Sequence, residues 1–356
     1  MKKNIYYWAP CLNPVGTIKS TLNSAIALSK FNKNYKIKII NACGEWNNHK
    51  NIFEKNSIEV IDLSFNYLKF LPKRGYLNSR LAYITIILLS FFPLLKLLKQ
   101  KKPEILNIHL LTSLPIILMY FFRIETKVIL RISGYPKLNF LRYWFWKVCS
   151  WKISCVTCPT QATLTKLSSI NLFKSNKIVY LQDPIINIGK NIKRKRLENN
   201  KSKYILAVGR LTRQKNYHYL IEEFEKFMKV NKKYKLIILG DGDQKEDLKK
   251  FCELKEISNN IEFKGQVDNV YEYMKNAEIF VLTSLWEDPG FVIIEAGYNN
   301  LFVISSDCPH GPREFLNYGD SGILFKSNQK DGLFNSLIKF ENMHDGEKFK
   351  KKMNLK

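Results

Sequence analysis

The sequence predicts an α/β chain of two domains, each an open parallel sheet covered by helices on both faces. Three observations carry this expectation. The chain has 356 residues, more than one ordinary core takes and suited to two domains of roughly 100 to 200 residues each. Short β-branched runs alternate with helical stretches along most of its length. That rhythm restarts near Tyr204, after a polar and basic stretch with no apolar period to bury.

The elements follow in order. In the first half, Ile5 to Trp8, Lys36 to Ile40, Ile58 to Ile61, Ile105 to His109, Val128 to Ile132, Cys155 to Thr157 and Ile178 to Leu181 are expected strands. In the second half they are Tyr204 to Val208, Leu236 to Leu239, Ile261 to Phe263, Ile279 to Thr283, Phe302 to Ser305 and Ile323 to Phe325. Strand, helix and strand repeated this regularly imply parallel pairing, because a parallel crossover carries a helix over the sheet. The bounds are then 1–188 and 204–340 for two Rossmann-like domains, 189–203 for a linker and 341–356 for a C-terminal tail. Open parallel sheets hold ligands beyond the carboxyl ends of their strands, so functional residues are expected just after strands, in a cleft between the domains.

Hydrophobic residues at 46% and charged residues at 25% give a globular composition and exclude a largely disordered chain. The net charge of +26 is unevenly placed. Residues 1–200 carry 32 Lys and Arg against 8 Asp and Glu, whereas residues 201–356 carry 25 against 23. A Lys- and Asn-rich composition explains part of the excess but not its one-sidedness, which points to an anionic partner for the first half. Nucleic acid is not expected as that partner, since no recognition helix or RNA-binding sheet motif accompanies the charge. An anionic membrane surface or a lipid pyrophosphate fits better.

The seven cysteines are scattered, and the first residues run straight into a strand without a leader pattern. A reducing cytoplasmic location is expected, peripheral at the inner face of the membrane. Cys155 and Cys158 form a CxxC with Cys149 nearby, but no second ligand pair follows at zinc-site spacing. Buried structural thiols are expected there rather than metal or redox chemistry. No run of 18 uninterrupted apolar residues occurs, so a spanning helix is not expected. The nearest approach is Leu81 to Leu95, flanked by Lys73, Arg74 and Arg80 before it and by Lys96, Lys99, Lys101 and Lys102 after it. It reads either as a buried helix of the first domain or as a monotopic helix dipping into an anionic leaflet.

The most informative segment is SLWEDPGFVIIEAGY, Ser284 to Tyr298, directly after an expected strand. Pro289 and Gly290 fix a turn, and Phe291 to Tyr298 has helical apolar spacing, so backbone N–H groups would face a diphosphate. Glu287 lies in the loop and Glu295 about two turns along the helix, two carboxylates able to accept hydrogen bonds from ligand hydroxyls. Four further blocks are AVGRLTRQKNYHYLIEEF from Ala207, LIILGDGDQKEDL from Leu236, FKGQVDNVYEYMKNAEIFVLTS from Phe263 and SSDCPHGPREFLNYGDSGILF from Ser305.

Together these ordered blocks resemble the retaining glycosyltransferases of family 4, which have the GT-B fold of two facing Rossmann-like domains with an interdomain cleft. The resemblance implies that Arg210 and Lys215 bind the diphosphate of a nucleotide diphosphate sugar, that Glu287 touches the donor sugar, and that Glu295 binds the ribose. It implies that amides near Gly290, Phe291 and Val292 contact sugar or diphosphate, and that Gly240 and Asp241, with Gly242, let the backbone pass close to the nucleotide. An Arg fork and a Lys point charge in one loop do suit two adjacent phosphates.

In the first half, Pro14, Val15, Gly16 and Thr17 stand where the family has a glycine-rich loop near the donor phosphates, with Gly16 the one glycine kept. His109 ends a strand where the family often carries a histidine beside the reacting sugar; a satisfied core histidine is the competing reading. Arg131, Lys137 and Arg142 belong to a basic and aromatic stretch after a strand, which reads as an acceptor-phosphate contact or as a solvated face. Catalysis is expected from Glu287, His109, Arg210 and Lys215. The resemblance further implies retention, a UDP-linked donor as the family's commonest, and an acceptor that is a glycan or lipid-linked sugar of surface polysaccharide, lipopolysaccharide or capsule assembly. The Asp-x-Asp metal motif associated with the other glycosyltransferase fold is not recognised, Asp241-Gly242-Asp243 belonging to the GDG turn quoted above, and no cluster of metal ligands is seen, so neither metal nor other cofactor is expected. The rivals are a catalytically silent partner subunit of the same fold and a basic nucleic-acid-binding protein.

Overall fold

The computed structural model describes residues 3–12, 16–72, 76–109, 112–136, 138–186 and 203–355. The chain forms two compact units, Met1–Asn187 and Ile188–Lys356. All thirteen expected strands are present, with ends within two residues of those anticipated.

The first unit runs β1 (Lys3–Trp8), α1 (Gly16–Phe31), β2 (Tyr35–Asn41), α2 (Lys50–Lys55), β3 (Glu59–Asp62), α3 (Tyr76–Lys101), β4 (Ile105–His109), α4 (Leu114–Phe121), β5 (Lys127–Arg131), α5 (Phe140–Cys149), β6 (Ile153–Cys158), α6 (Gln161–Ser169) and β7 (Ile178–Tyr180). Its sheet is parallel with order β3-β2-β1-β4-β5-β6-β7. Both faces are buried, as the pleat requires: Tyr6 and Trp8 enter one core while Ile5, Tyr7 and Ala9 enter the other.

The second unit runs β8 (Lys203–Val208), α7 (Tyr217–Val230), β9 (Tyr234–Leu239), α8 (Lys245–Leu254), β10 (Ile261–Gly265), α9 (Val270–Asn276), β11 (Ile279–Leu282), α10 (Val292–Tyr298), β12 (Phe302–Ser306), α11 (Pro312–Phe315), β13 (Ile323–Phe325), α12 (Gly332–Asn342) and α13 (Asp345–Asn354). Its sheet is likewise parallel, ordered β10-β9-β8-β11-β12-β13. Ile205 and Ala207 of β8 face one core and Tyr204 and Leu206 the other. In each sheet the order reverses once, between β1 and β4 and between β8 and β11. Such a switch point leaves a crevice at the carboxyl ends of its two strands, where ligands bind in open α/β sheets.

The fold bears on several of the sequence expectations. The expected linker lies, from 189 to 202, outside the described residues; Lys203 already opens β8. Within the expected C-terminal tail, the described residues 341–355 finish α12 and supply α13, whose Lys351 Nζ donates to Gly319 O at 2.7 Å and whose flanking Leu355 rests on Gly297. Cys155 and Cys158 share β6 three positions apart, which turns their side chains to opposite faces of the sheet, so they cannot share a metal. The Leu81 to Leu95 run lies within α3, which has one buried and one exposed apolar face. Ala82, Ile86, Leu94 and Leu98 enter the core, while Leu81, Ile84, Leu88 and Phe92 are exposed. Arg80–Lys101 has the length and a mean hydropathy of 2.2 that a membrane crossing takes, but its buried stripe ties it to the sheet.

Candidate functional site

The loops leaving β8, β9 and β10 are knitted by backbone. Gly209 N donates to Leu239 O (2.9 Å), Leu211 N to Asp241 O (3.0 Å) and Gly240 N to Gly265 O (2.7 Å). Gly240 has φ +136°, and a Cβ there would lie 1.9 Å from Gly209 O. This glycine is therefore required by the neighbouring loop itself, while Asp241 beside it is exposed.

At the β8/β11 switch point the loops bring two of the expected residues together. Lys215 ends the short 3-10 turn Arg213–Lys215, and Asn216 in the left-handed region turns the chain into α7. Lys215 Nζ lies 2.5 Å from Glu287 Oε1. Ser284 Oγ donates to the same oxygen at 2.5 Å, and Glu287 is only 3% exposed. The two loops are also joined directly: Leu285 N donates to Gln214 O (2.8 Å), Gln214 Nε2 to Trp286 O (2.9 Å) and Thr283 Oγ1 to Lys215 O (2.9 Å). Burial and the Glu287 carboxylate push the Cys308 thiol up to about 12, and the same two causes raise the Tyr217 phenol. Arg210, by contrast, is exposed, and among the described residues its guanidinium has no ion-pair partner.

The Pro289–Gly290 turn is fixed from outside. Gly290 has φ +85°, and Gly311, at φ +142°, lies so close that a Cβ would meet Pro289 O at 1.8 Å. The turn delays the helix, so α10 starts at Val292, with Phe291 as its cap. Glu295, half-buried, consequently lies in the first turn of α10 rather than two turns along it. The Ile293 N–H is already bonded to Gly290 O at 3.1 Å.

At the β1/β4 switch point of the first unit, the expected residues are Gly16 and His109. Gly16 is exposed and opens α1; Pro14 and Val15 lie outside the described residues. His109 is 1% exposed at the end of β4. Thr21 Oγ1 donates its single proton to Thr17 O (2.7 Å) and so faces His109 Nδ1, 3.0 Å away, as an acceptor. Nδ1 therefore carries the ring proton and Nε2 a lone pair, with no hydrogen-bond partner among the described residues. Burial, then the Arg131 cation, hold this imidazole well below its usual range and keep it neutral. The Tyr7 ring sits 5.9 Å away, and its hydroxyl is 3.0 Å from Ser24 Oγ.

Arg131 corrects an expectation. It does not line an open acceptor loop: it is the last residue of β5, only 7% exposed, and ion-paired with the 3%-exposed Asp183. Burial lowers it to about 10. The physical reason is that the strand end turns the guanidinium inward, where only a carboxylate can offset its desolvation. Arg142 is exposed on α5, beside a shallow pocket of about 310 Å³ with Ser113, Ile117, Leu141, Phe145 and Trp146. Lys137 lies outside the described residues. Among the described residues no three His, Cys, Asp or Glu side chains are grouped to hold a metal ion.

Sequence reasoning missed Thr21, Asp183, Ser284 and Gly311. Thr21 repeats Thr17 one turn on, and Ser284 opens the quoted segment; the pairing of Asp183 with Arg131 had no local signal.

Residues 189–354 match the family model described as glycosyl transferases group 1. The chain is 30% identical over 287 residues to an uncharacterized glycosyltransferase of Methanocaldococcus jannaschii, covering 70% of each. It is 31% identical over 149 residues, 41% of this chain and 40% of the relative, to the N-acetylgalactosamine-N,N'-diacetylbacillosaminyl-diphospho-undecaprenol 4-alpha-N-acetylgalactosaminyltransferase of Campylobacter jejuni. Among solved structures, a glycosyltransferase of Rickettsia africae matches with a TM-score of 0.76 at 16% identity, over 99% of this chain and 92% of that one. Anabaena HepE, solved with UDP and glucose, matches at 0.70 and 16% identity, over 99% and 93%. With its two parallel sheets, its ordered second-unit motifs and these likenesses, the chain belongs to the group 1 glycosyltransferases and has the GT-B fold.

Proposed function

We propose that this glycosyltransferase moves a sugar from a UDP-linked donor, with retention and without a metal, onto a lipid-linked glycan in surface polysaccharide, lipopolysaccharide or capsule assembly. One observation carries the reading: Arg210, exposed, and Lys215, 2.5 Å from the buried Glu287, both leave the same strand at a topological switch point. Two cations in one loop suit the donor diphosphate, and Glu287 is held by Lys215 and Ser284 in a fixed orientation toward a sugar hydroxyl. The donor C1–O bond breaks as the acceptor hydroxyl attacks from the same face, and the hydroxyl proton passes to the departing phosphate oxygen. Arg210 and Lys215 stabilise the charge that builds there. In the first unit, the bare Nε2 of His109 is suited to accept a hydrogen bond from a neutral hydroxyl.

The UDP and glucose bound to Anabaena HepE support the donor class. The diphospho-undecaprenol in the name of the Campylobacter jejuni relative supports a lipid-linked acceptor, and with it a peripheral position at the inner face of the membrane.

A thermal-shift screen of nucleotide diphosphates and their sugars tests the donor. Protection of the wild type by UDP or a UDP-sugar, lost in Arg210→Ala and Glu295→Ala, is the expected result. Equal protection of all three proteins removes the proposed site. Donor hydrolysis that collapses with a chelator removes metal independence, and an inverted anomeric signal in the product removes retention.

A further inference from the structure

We infer that α3, α4, α5 and the 3-10 turn Ser150–Lys152 form one docking face for an anionic phospholipid bilayer. The sequence pointed only to the α3 run; the fold sets two further apolar surfaces beside it. On α3 the outward stripe Leu81, Ile84, Leu88 and Phe92 recurs at helical spacing and gives way to exposed Lys96 and Lys99. On α5, Phe140, Leu141, Trp144 and Val148 form a second such stripe, while Trp146 and Cys149 point into the core. Leu88, Phe92, Phe140 and Leu141 are between 68% and 77% exposed, far beyond what a solvated helix face ordinarily shows.

α4 joins the two stripes. Phe91 of α3 lies 6.2 Å from Phe122 at the end of α4, and Tyr120 of α4 lies 6.3 Å from Trp151, itself 61% exposed. Ile117 of α4 and Leu141 of α5 line the same shallow pocket. The surface is thus continuous from α3 to α5.

Charge selects the occupant. No Asp or Glu occurs from residue 63 to 103 or from 126 to 182. Lys99 Nζ lies 5.0 Å above the Phe122 ring and Lys152 Nζ 4.3 Å above the Trp151 ring, so the cations sit directly on the exposed aromatics. Aromatic and aliphatic side chains interleaved with Lys and Arg, with no acid among them, match the acyl and headgroup layers of an anionic leaflet. A second protein copy would meet the same positive charge and be repelled. The inference deepens the proposed lipid-linked acceptor and takes its purpose from that reading, but the binding itself is separately measurable.

Flotation of the full chain with phosphatidylcholine vesicles, with and without phosphatidylglycerol, tests it. The wild type floats with the anionic vesicles, and less so as salt rises. Phe140→Ser with Trp144→Ser, both exposed and so compatible with folding, lowers the bound fraction about tenfold or more, as does Leu88→Ser with Phe92→Ser. Leu254→Ser, at an exposed apolar position of the second unit, leaves it unchanged. A wild type that stays in solution, or binds both vesicle types equally, overturns the inference, as does flotation indifferent to the first two variants. Self-association abolished by those variants without vesicle binding overturns it too, assigning the face to a second copy. Flotation that persists when UDP-sugars give no thermal protection removes the donor reading and leaves the docking face standing.

Discussion

At the switch point of the second sheet the side chains are charged: Lys215 and Glu287 are paired, Ser284 steadies the carboxylate, and Arg210 stands open to solvent. At the switch point of the first sheet, the strand-end histidine is neutral, its one proton fixed by Thr21 and its other nitrogen bare. The cation that acts on it, Arg131, is itself paired with a carboxylate, Asp183. The same topological position therefore serves two chemistries. One region carries charge, the proposed phosphate contact among it, and the other a shielded neutral acceptor.

Four experiments break or sharpen this comparison. The largest effect is expected for Lys215→Ala, which removes a proposed phosphate contact and takes the cation from the buried Glu287. A loss in kcat/KM of about a thousandfold should accompany a stability loss of about 3 kcal/mol, read by denaturant titration. Unchanged stability would mean the pair is not held as described. Arg210→Ala should separate the two effects, because its exposed side chain supports no structure: about a hundredfold loss in kcat/KM with an unchanged Tm. Thr21→Val should cost about tenfold in kcat/KM and move the ¹⁵N shifts of His109 toward the other tautomer, with Thr21→Ser restoring both. A Thr21→Val enzyme with wild-type histidine shifts would dissolve the assigned hydrogen bond.

The smallest effect is pH-dependent. His109 is held below its ordinary value by burial and by Arg131, so the unfolded chain takes up a proton that the folded one refuses. Stability contributed by the neutral ring is complete above about pH 6.5 and falls as pH drops below it, by at most about 1.4 kcal/mol per pH unit. Urea titrations across that range check the slope, and His109→Gln should flatten it.

The strands were legible because buried parallel sheets demand continuous β-branched runs, and each run here is bounded by polar residues. The second-unit residues were legible because Arg210, Lys215 and Glu287 sit in loops directly after strands. What escaped was non-local. Arg131 looked like part of an open basic loop because its partner, Asp183, lies far along the chain. That Gly240 is also demanded by the backbone of Gly209, which fills the space a side chain would take, had no local signal. The start of α10 was misjudged by a residue because the turn before it is clamped by Gly311, twenty-one positions later in sequence than Gly290.

The contact between Leu355 and Gly297 ties the last described turn of the chain to the helix that bears Glu295. Those two segments cannot loosen independently, so whatever grips Glu295 also raises the work needed to peel α13 away. At the proposed donor site, nucleotide sugar should thus slow trimming of the carboxyl end by carboxypeptidase, and removal of Leu355 should weaken nucleotide binding.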